Sequence, residues 1–230
     1  IDYYKNFENL KASFCKFIEK TPSYGKSFVC IDNKNLKSLI YRSKNKNYLT
    51  YGFDKNSNYQ IINVRKNINN SIFDLIVKFS KKKNYKIKNL KINLLGNHNI
   101  SNVTASVAVA LNLGIKINKI KKALRKFLGI QRRFTKVFSI DNKDFFDDYA
   151  HHPTEIKAVI EGAREAYKNR KIICVFQPHR YSRVKALKNE FASSFRSIDT
   201  VVLCPVYSAG EKKRYNFNQD NFSKLITRKS

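Results

Sequence analysis

The chain has 230 residues, which is room for one large domain or two small ones. Its 46 basic and 17 acidic residues give a formal net charge of +29, and its hydrophobic share of 42% excludes wholesale disorder. The most apolar stretch, 105–115, is far shorter than the roughly 20 residues of a membrane helix, which excludes a membrane span there.

Hydrophobic periodicity predicts alternating helices and strands. In chain order they are helix 7–18, strand 27–31, helix 33–40, strands 48–53, 59–67, 71–79 and 86–95, helices 100–113 and 117–128, strands 134–140 and 143–148, helix 153–168, strand 171–176, helix 180–196 and strand 200–204. Asp32 is predicted to cap the second helix, and the four strands between 48 and 95 to form a meander. Strands separated by helices predict βαβ units with a parallel sheet, and hence an α/β fold. A domain boundary is predicted near Gly129, where a fresh alternation begins.

The ends and the cysteines bear on where the protein works. The chain starts at Ile1 and contains no methionine, so we expect it to be a piece of a longer protein. Its first ten residues lack the apolar run of a signal peptide. None of the four cysteines forms a C-x-x-C pair, so neither a disulfide framework nor a zinc site is indicated. These features favour a cytoplasmic protein with reduced thiols.

The high positive charge has two interpretations. It could serve a nucleic acid or another polyanion. The basic residues are mostly lysine, however, and they accompany abundant asparagine and isoleucine, all of which have A/T-rich codons. We therefore attribute the charge to compositional drift and do not expect a nucleic-acid partner.

A first candidate segment, 96–102, follows a predicted strand and opens a helix. Asn99 and Asn102 are three residues apart, so they share a helix face. Their amides offer the paired donor and acceptor that suit the edge of a nucleobase. The alternative is that Asn99 merely caps the helix and that His98 lies in a loop.

A second segment, 146–155, brings two carboxylates, a phenol and two imidazoles to a strand-to-helix turn. Ligands of open α/β sheets bind outside the carboxyl ends of strands, which makes this turn a candidate site. A metal is disfavoured, because neighbouring His151 and His152 cannot easily aim at one ion and no third ligand is near. The alternative is a helix N-terminus whose polar groups are satisfied internally.

A third segment, 175–183, again follows a strand and opens a helix. Arg180 and Arg183 are three residues apart, and two guanidinium groups at a helix start suit a carboxylate or a phosphate. The alternative is a solvated helix face, which in so lysine-rich a chain would more often carry lysine. The sequence holds neither a G-x-x-x-x-G-K-[ST] phosphate loop nor a G-x-G-x-x-G motif.

Five motifs together resemble those of the Mur ligases, in the order of that family. They are GNHNISN at 96–102, GIQRRF at 129–134, DDYAHHPTE at 147–155, FQPHRYSR at 176–183 and VYSAGE at 206–211. The resemblance runs across nearly the whole chain and implies two parts. Residues 1–128 would be the later part of a central ATP-binding domain, and residues 129–230 an incomplete Rossmann-like C-terminal ligase domain with a mainly parallel sheet.

The resemblance also implies a reaction. It is greatest to the members that join L-alanine to the carboxylate of UDP-N-acetylmuramate through an acyl phosphate, in the synthesis of peptidoglycan precursors. It implies ATP and Mg²⁺ as cofactors, with the Mg²⁺ ligands mainly outside this chain and no metal ligand within it. Because the phosphate loop is absent, the chain alone is expected to be inactive.

Residue roles follow from the matching motif positions. Asn99 and Asn102 would hold adenine, Asp148 the ribose and Arg133 the ATP phosphates. The side where L-alanine meets the acyl phosphate would be lined by Tyr149, His151, His179, Arg180 and Arg183.

Three points stay open at this stage. Either His151 or His179 could accept the proton of the attacking amine, while His152 is expected to be structural. Ala150 stands where the family usually has glycine, which questions the shape of that turn. The alternative functions are a murein-peptide recycling ligase, which is similar around residues 147–155, and a non-catalytic basic α/β module that binds a polyanion.

Overall fold

A computed structural model describes residues 3–67, 69–80, 83–211 and 218–229. The chain divides into two compact units. The first comprises Ile1–Lys66, Asn70–Asn93 and His98–Phe127, and the second comprises Asn67–Asn69, Leu94–Asn97 and Leu128–Ser230. What each unit does stays a prediction at this point.

The elements up to residue 126 are five strands and four helices within the described part of the chain. They are α1 (Phe7–Glu19), β1 (Ser27–Cys30), α2 (Lys34–Arg42), β2 (Tyr48–Gly52), β3 (Tyr59–Lys66), β4 (Ser71–Ser80), β5 (Lys83–Ile92), α3 (Asn97–Asn112) and α4 (Ile117–Lys126). The strands form one sheet in the order β1-β2-β3-β4-β5. The β1–β2 and β2–β3 pairs are parallel, whereas the β3–β4 and β4–β5 pairs are antiparallel.

The predicted four-strand meander is therefore wrong at its first step. β2 and β3 pair in parallel through only two positions, Tyr51 with Tyr59 and Gly52 with Gln60. Parallel neighbours normally need a long crossover. Here the end of β2 lies beside the start of β3, so a short loop suffices and the chain continues in the same direction.

The cap of α2 was also predicted one residue too early. Asn33, not Asp32, is the N-cap, and its side chain accepts the backbone N–H groups of Asn35 and Leu36. The carboxylate of Asp32 instead accepts the backbone N–H groups of Phe53 and Asp54 at 3.0 and 2.9 Å, which ties the end of β1 to the end of β2.

The buried side chains of this unit lie on the sheet and the helices that cover it. One cluster joins α1, β1 and α2 and consists of Ile18, Val29, Ile31, Leu39 and Ile40. Further fully or nearly fully buried side chains are Tyr59, Ile61, Phe73, Leu75, Val77, Leu90 and Ile92 on strands and Ile100, Val107 and Ala108 on α3. The hydroxyl of Tyr59 lies 2.6 Å from the side-chain nitrogen of Asn112, which links β3 to the end of α3.

The second unit contains four strands and four helices in its described part. They are β6 (Thr135–Ile140), β7 (Lys143–Asp147), α5 (Pro153–Ala166), β8 (Ile173–Phe176), α6 (Tyr181–Ala186), α7 (Lys188–Ser194), β9 (Thr200–Leu203) and α8 (Gln219–Lys229). β6 and β7 form an antiparallel hairpin. β8 and β9 pair in parallel and are joined through α6 and α7, so the predicted βαβ unit is present there.

One predicted helix is two helices. The prediction of a single helix over 180–196 is wrong, because Leu187 has φ −119° and ψ 27° and separates α6 from α7. Val184 on α6 and Phe191 on α7 are both fully buried. The break lets both short helices turn an apolar side chain into one core. Helix α8 was not predicted.

A hydrophobic cluster stabilises the second unit. Its buried members come from α5, β8, α6, α7 and α8 and are Ile156, Ile160, Phe176, Val184, Phe191, Ala192, Phe195, Phe222 and Ile226. The predicted α/β fold class is confirmed. No helix within the described residues is long and apolar enough to cross a membrane.

Candidate active site

The turn between β7 and α5 is held together by the carboxylate of Asp148. Its Oδ2 accepts the backbone N–H of Phe134 at 2.7 Å, and its Oδ1 accepts that of Ala150, also at 2.7 Å. Phe134 has a left-handed φ of 51°, so this bond fixes a conformation that side chains with a Cβ disfavour. Ala150 is not among the described residues with left-handed backbone, so alanine at this position does not strain the turn.

A capping box starts α5. The Nδ1 of His152, the N-cap residue, accepts the backbone N–H of Thr154 at 3.3 Å. In return, Oε2 of Glu155 accepts the backbone N–H groups of His151 at 3.1 Å and of His152 at 3.3 Å. Burial lowers the pKa of His152, which favours the neutral ring that can accept at Nδ1. His152 acts as a helix cap.

His151 is oriented by two oxygen atoms. Its Nδ1 lies 2.9 Å from the carbonyl oxygen of Tyr149 and 3.5 Å from Oε2 of Glu155. The rings of His151 and Tyr149 meet edge to face, with centroids 5.2 Å apart. The imidazole is thus fixed on one side while a third of its side-chain surface stays exposed.

Arg132 contacts both Tyr149 and Asp147, and the sequence analysis gave this residue no role. Its guanidinium carbon lies 4.8 Å from the centre of the Tyr149 ring, and its Nε donates to Asp147 at 3.2 Å. Its carbonyl oxygen accepts the backbone N–H of Tyr149 at 2.9 Å. The two adjacent arginines of the 129–134 motif were a signal, but only Arg133, which is exposed, received a role.

The segment after β8 pairs with the segment after β9. The backbone N–H of Tyr207 donates to the carbonyl oxygen of Pro178, and that of Arg180 donates to the carbonyl oxygen of Tyr207, both at 2.8 Å. Further along, the carboxylate of Glu211 accepts the backbone N–H and the hydroxyl of Ser182. The motif at 206–211 therefore fixes the start of α6, although it had received no role of its own.

The structure brings His151, His179 and Arg183 together. The two imidazole centroids lie 6.2 Å apart, and the ring of His179 also contacts that of Tyr207 at 5.4 Å. Burial, followed by the charges of Arg183 and Arg180, lowers the pKa of His179. The Nδ1 of His179 and one terminal nitrogen of Arg183 are buried without a hydrogen-bond partner among the described residues. Buried polar groups without a partner are rare in proteins and can mark a catalytic or ligand-binding role, which makes this cluster the candidate site.

The two arginines differ in their surroundings. Arg180 is exposed and is the N-cap of α6, with φ 69° and ψ 125°. Arg183 is half-buried in the first turn of that helix. Because α6 has only six residues, the guanidinium groups rather than a helix dipole provide the positive charge here.

Asn99 and Asn102 belong to the first unit. Both lie on α3, which begins at Asn97, so the alternative that Asn99 caps this helix from outside is wrong. Asn99 is half-buried and Asn102 is exposed. Ile100, which lies between them in the sequence, and Thr104, which follows them, are both buried and anchor this part of the helix. The structure thus keeps both amides on the first turns of one helix, as their spacing predicts.

No group of three or more histidine, cysteine, aspartate and glutamate side chains within the described residues could hold a metal ion. The acidic side chains near the candidate site are committed to other bonds. Asp148 and Glu155 accept backbone N–H groups, and Asp147 accepts from Arg132.

Two models of one family match the sequence. "Mur ligase middle domain" matches residues 1–110, and "Mur ligase, glutamate ligase domain" matches residues 132–226. The chain belongs to the Mur ligase family. The resemblance that the five motifs indicate is therefore confirmed.

This Mur ligase chain is similar to curated proteins, two of which carry the same name. It is 52% identical over 230 residues to the UDP-N-acetylmuramate–L-alanine ligase of Pelagibacter ubique, an alignment that covers 100% of this chain and 50% of that protein. It is 41% identical to the ligase of the same name from Brucella anthropi, over 92% of this chain and 45% of that protein. The chain therefore spans about half the length of the curated relatives that it matches.

Solved structures share the fold. The UDP-N-acetylmuramate-alanine ligase of Thermotoga maritima matches with a TM-score of 0.70 at 23% identity, over 98% of this chain and 45% of that chain. A murein peptide ligase from Psychrobacter arcticus matches with a TM-score of 0.59 at 22% identity, over 86% of this chain and 41% of that chain.

Proposed function

We propose that this chain is part of an ATP-dependent ligase that joins L-alanine to the carboxylate of UDP-N-acetylmuramate through an acyl phosphate. The observation that carries the proposal is 52% identity to a ligase of that name across all 230 residues. The cluster of His151, His179 and Arg183 supports it, because its unpaired buried nitrogens suit a carboxylate or phosphoryl oxygen.

Each unit carries part of the proposed chemistry. Residues 1–128 are the later part of the ATP-binding domain, in which Asn99 and Asn102 bind adenine. Residues 129–230 are the ligase domain. There Asp148 binds the ribose and Arg133 the ATP phosphates, although the two backbone N–H groups that Asp148 already accepts leave it fewer free lone pairs.

The alanine side of the reaction falls to the second unit. Arg180 and Arg183 bind the amino-acid carboxylate or neutralise the acyl phosphate, and His179 lines the same cluster. Tyr149 lines the cluster, and its carbonyl oxygen forms a hydrogen bond with Nδ1 of His151. Holding the two reactants in contact contributes most of the rate in such a reaction.

Cofactors and location belong to the same proposal. ATP is the phosphoryl donor, and Mg²⁺ accompanies it to neutralise phosphate charge. The described residues offer no cluster that fits a metal ion, so no residue of this chain is proposed as an Mg²⁺ ligand. The four cysteines are all unpaired, which supports a reducing, cytoplasmic location.

A chimera tests the ligase. Residues 1–230 replace the matching half of the Pelagibacter ubique relative, and phosphate release is measured with ATP, Mg²⁺ and UDP-N-acetylmuramate, with and without L-alanine. We expect release that depends on both the sugar nucleotide and the amino acid, with the unmodified relative as the positive control. A folded chimera that releases no phosphate would contradict the proposal.

The same assay separates the other ligase. In a parallel reaction, a murein tripeptide replaces L-alanine, and the other components of the assay stay the same. Faster release with the tripeptide would favour the recycling ligase over the alanine ligase.

A further inference from the structure

Two imidazoles at the candidate site have opposite surroundings, and this difference distinguishes their roles. The rings of His151 and His179 lie 6.2 Å apart, so one reacting amine can approach either. The inference drawn from them rests on the proposed ligase function.

The bond at Nδ1 fixes the tautomer of His151. A carbonyl oxygen only accepts hydrogen bonds, so the 2.9 Å contact to the Tyr149 carbonyl requires a proton on Nδ1. The neutral ring then carries its lone pair on Nε2, which makes no hydrogen bond among the described residues. This nitrogen can take a proton from a ligand.

Glu155 adds a negative charge behind the same ring. Its Oε2 lies 3.5 Å from Nδ1 of His151 and accepts the backbone N–H groups of His151 and His152. Burial raises the pKa of Glu155, but those N–H groups and the positive charges of His151 and Arg133 outweigh it and lower the pKa overall. The carboxylate therefore stays ionised, with its Oε2 3.5 Å from the Nδ1 of His151.

His179 has the opposite environment. Its Nδ1 is buried without a partner among the described residues, and the neighbouring charges come from Arg183 and Arg180. Two guanidinium groups oppose a further positive charge on this ring. His179 is therefore suited to stay neutral and to contact an anion or a neutral group.

We propose that His151 accepts the proton of the attacking amine at Nε2 and that Glu155 is its positioning residue. The nitrogen of the neutral amine donates its electron pair to the acyl carbon, and a C–N bond forms. One N–H proton passes to Nε2 of His151. The C–O bond to the phosphate breaks, and the phosphate leaves with that electron pair and takes up the proton from the imidazolium through solvent.

The geometry is tested without any turnover. The 230-residue chain contains four histidines, so long-range ¹H–¹⁵N NMR spectra can assign the tautomer of each ring. We expect the neutral form of His151 to carry its proton on Nδ1. A proton on Nε2 of the neutral ring would overturn the inference, whatever the activity of the ligase.

The positioning role is tested by Glu155→Gln in the chimera. Glutamine can still serve in a capping box, so the helix start is retained while the charge is lost. We expect kcat to fall by about tenfold or more, with the KM for L-alanine within about threefold of the wild type. Glu161→Gln is the matched control, since Glu161 lies on the same helix in an exposed pair with Lys157 and is expected to leave kcat unchanged.

The outcomes separate the two proposals. His151→Gln is expected to lower kcat by about a hundredfold, and His179→Gln to raise the KM for L-alanine more than it lowers kcat. Unchanged kcat in Glu155→Gln, in a chimera that is otherwise active, would overturn only the role of Glu155 and His151. An inactive wild-type chimera would overturn the ligase itself.

Discussion

Asp74 is a buried carboxylate on β4, between β3 and β5 of the first sheet. It accepts the backbone N–H of Asn89 and the side-chain amide of Asn63, both at 2.9 Å, and Lys86 lies 3.1 Å away. Asn63 and Asn89 both have left-handed backbone and lie where the register of β4 with its neighbours shifts. One carboxylate thus stabilises irregularities in both flanking strands.

The pKa of Asp74 makes this stabilisation dependent on pH. Burial raises it, but the hydrogen bonds from Asn89, Asn63 and Lys86 and the charge of Lys86 outweigh burial and lower it to about 2. The contribution is therefore complete above the unfolded value of about 4 and is lost as pH falls towards 2. A shift of this size corresponds to about 2 kcal/mol.

We expect Asp74→Asn to lower the free energy of unfolding by about 2 kcal/mol at pH 7, because the amide nitrogen would meet donors. The difference from the wild type should shrink between pH 4 and pH 2, as followed by urea denaturation. Asp141→Asn at an exposed turn is the control and should change little. A difference that stays constant down to pH 2 would contradict the role of the charge.

Arg180 combines a proposed binding role with an unfavourable backbone. At φ 69° and ψ 125°, any residue with a Cβ is strained, whereas glycine is not. We expect Arg180→Ala and Arg180→Gly to raise the KM for L-alanine in the chimera about equally, and to leave the KM for ATP within about twofold. The glycine variant should be more stable than the alanine variant by about 1 kcal/mol in thermal or urea unfolding. Equal loss of ATP binding would show that Arg180 serves the nucleotide instead.

At the scale of elements, the ends of β1 and β2 depend on Gly52. Its φ is +142°, and a Cβ there would lie 2.5 Å from Oδ1 of Asp32. We expect Gly52→Ala to lower the free energy of unfolding by about 2 kcal/mol or more, measured by urea denaturation. Gly114→Ala is the matched control, since Gly114 also has a left-handed φ of +76° but has nothing within 4 Å of the added atom. It should cost only about 1 kcal/mol, and equal losses at both positions would contradict the steric argument.

The elements also show what sequence patterns can and cannot predict. Periodicity located α1 and α5 within a few residues, because their apolar residues recur at helical spacing, and a short apolar run located β9. Periodicity predicted α6 and α7 as one helix. The backbone at Leu187 is not helical, and this break allows both Val184 and Phe191 to be buried, which is a tertiary effect that periodicity does not contain. Periodicity also gave the wrong direction for β2 and β3, because strand alternation carries no information about which neighbour a strand pairs with.

The candidate site was predicted to a similar extent. Motif positions led to His151, His179, Arg180 and Arg183, and the structure brings these into one unit. Arg132 was missed because its part depends on a left-handed backbone that turns the side chain under Tyr149. The roles assigned to the individual residues stay predictions.

At the scale of the whole molecule, the net charge of +29 predicts weak, non-specific attraction to polyanions. Because we attribute the charge to composition, we expect a dissociation constant for random duplex DNA weaker than about 10 µM at physiological salt. Fluorescence anisotropy with labelled DNA over a salt series measures this dissociation constant. We expect binding at low salt and its loss as the salt concentration rises. Micromolar affinity at physiological salt would favour the polyanion-binding alternative.

The break at Leu187 has a consequence for how this unit can change over evolutionary time. After the break, α7 supplies Phe191 and Ala192 to the core. Before the break, α6 begins after Arg180 and carries Arg183 in its first turn. The core therefore takes Val184 from α6 and Phe191 from α7, whereas the residues of the candidate site lie at and before the first turn of α6. Under the proposed function, we expect replacements at residues 179–183 to change which amino acid is accepted, and replacements at Val184 or Phe191 to change stability.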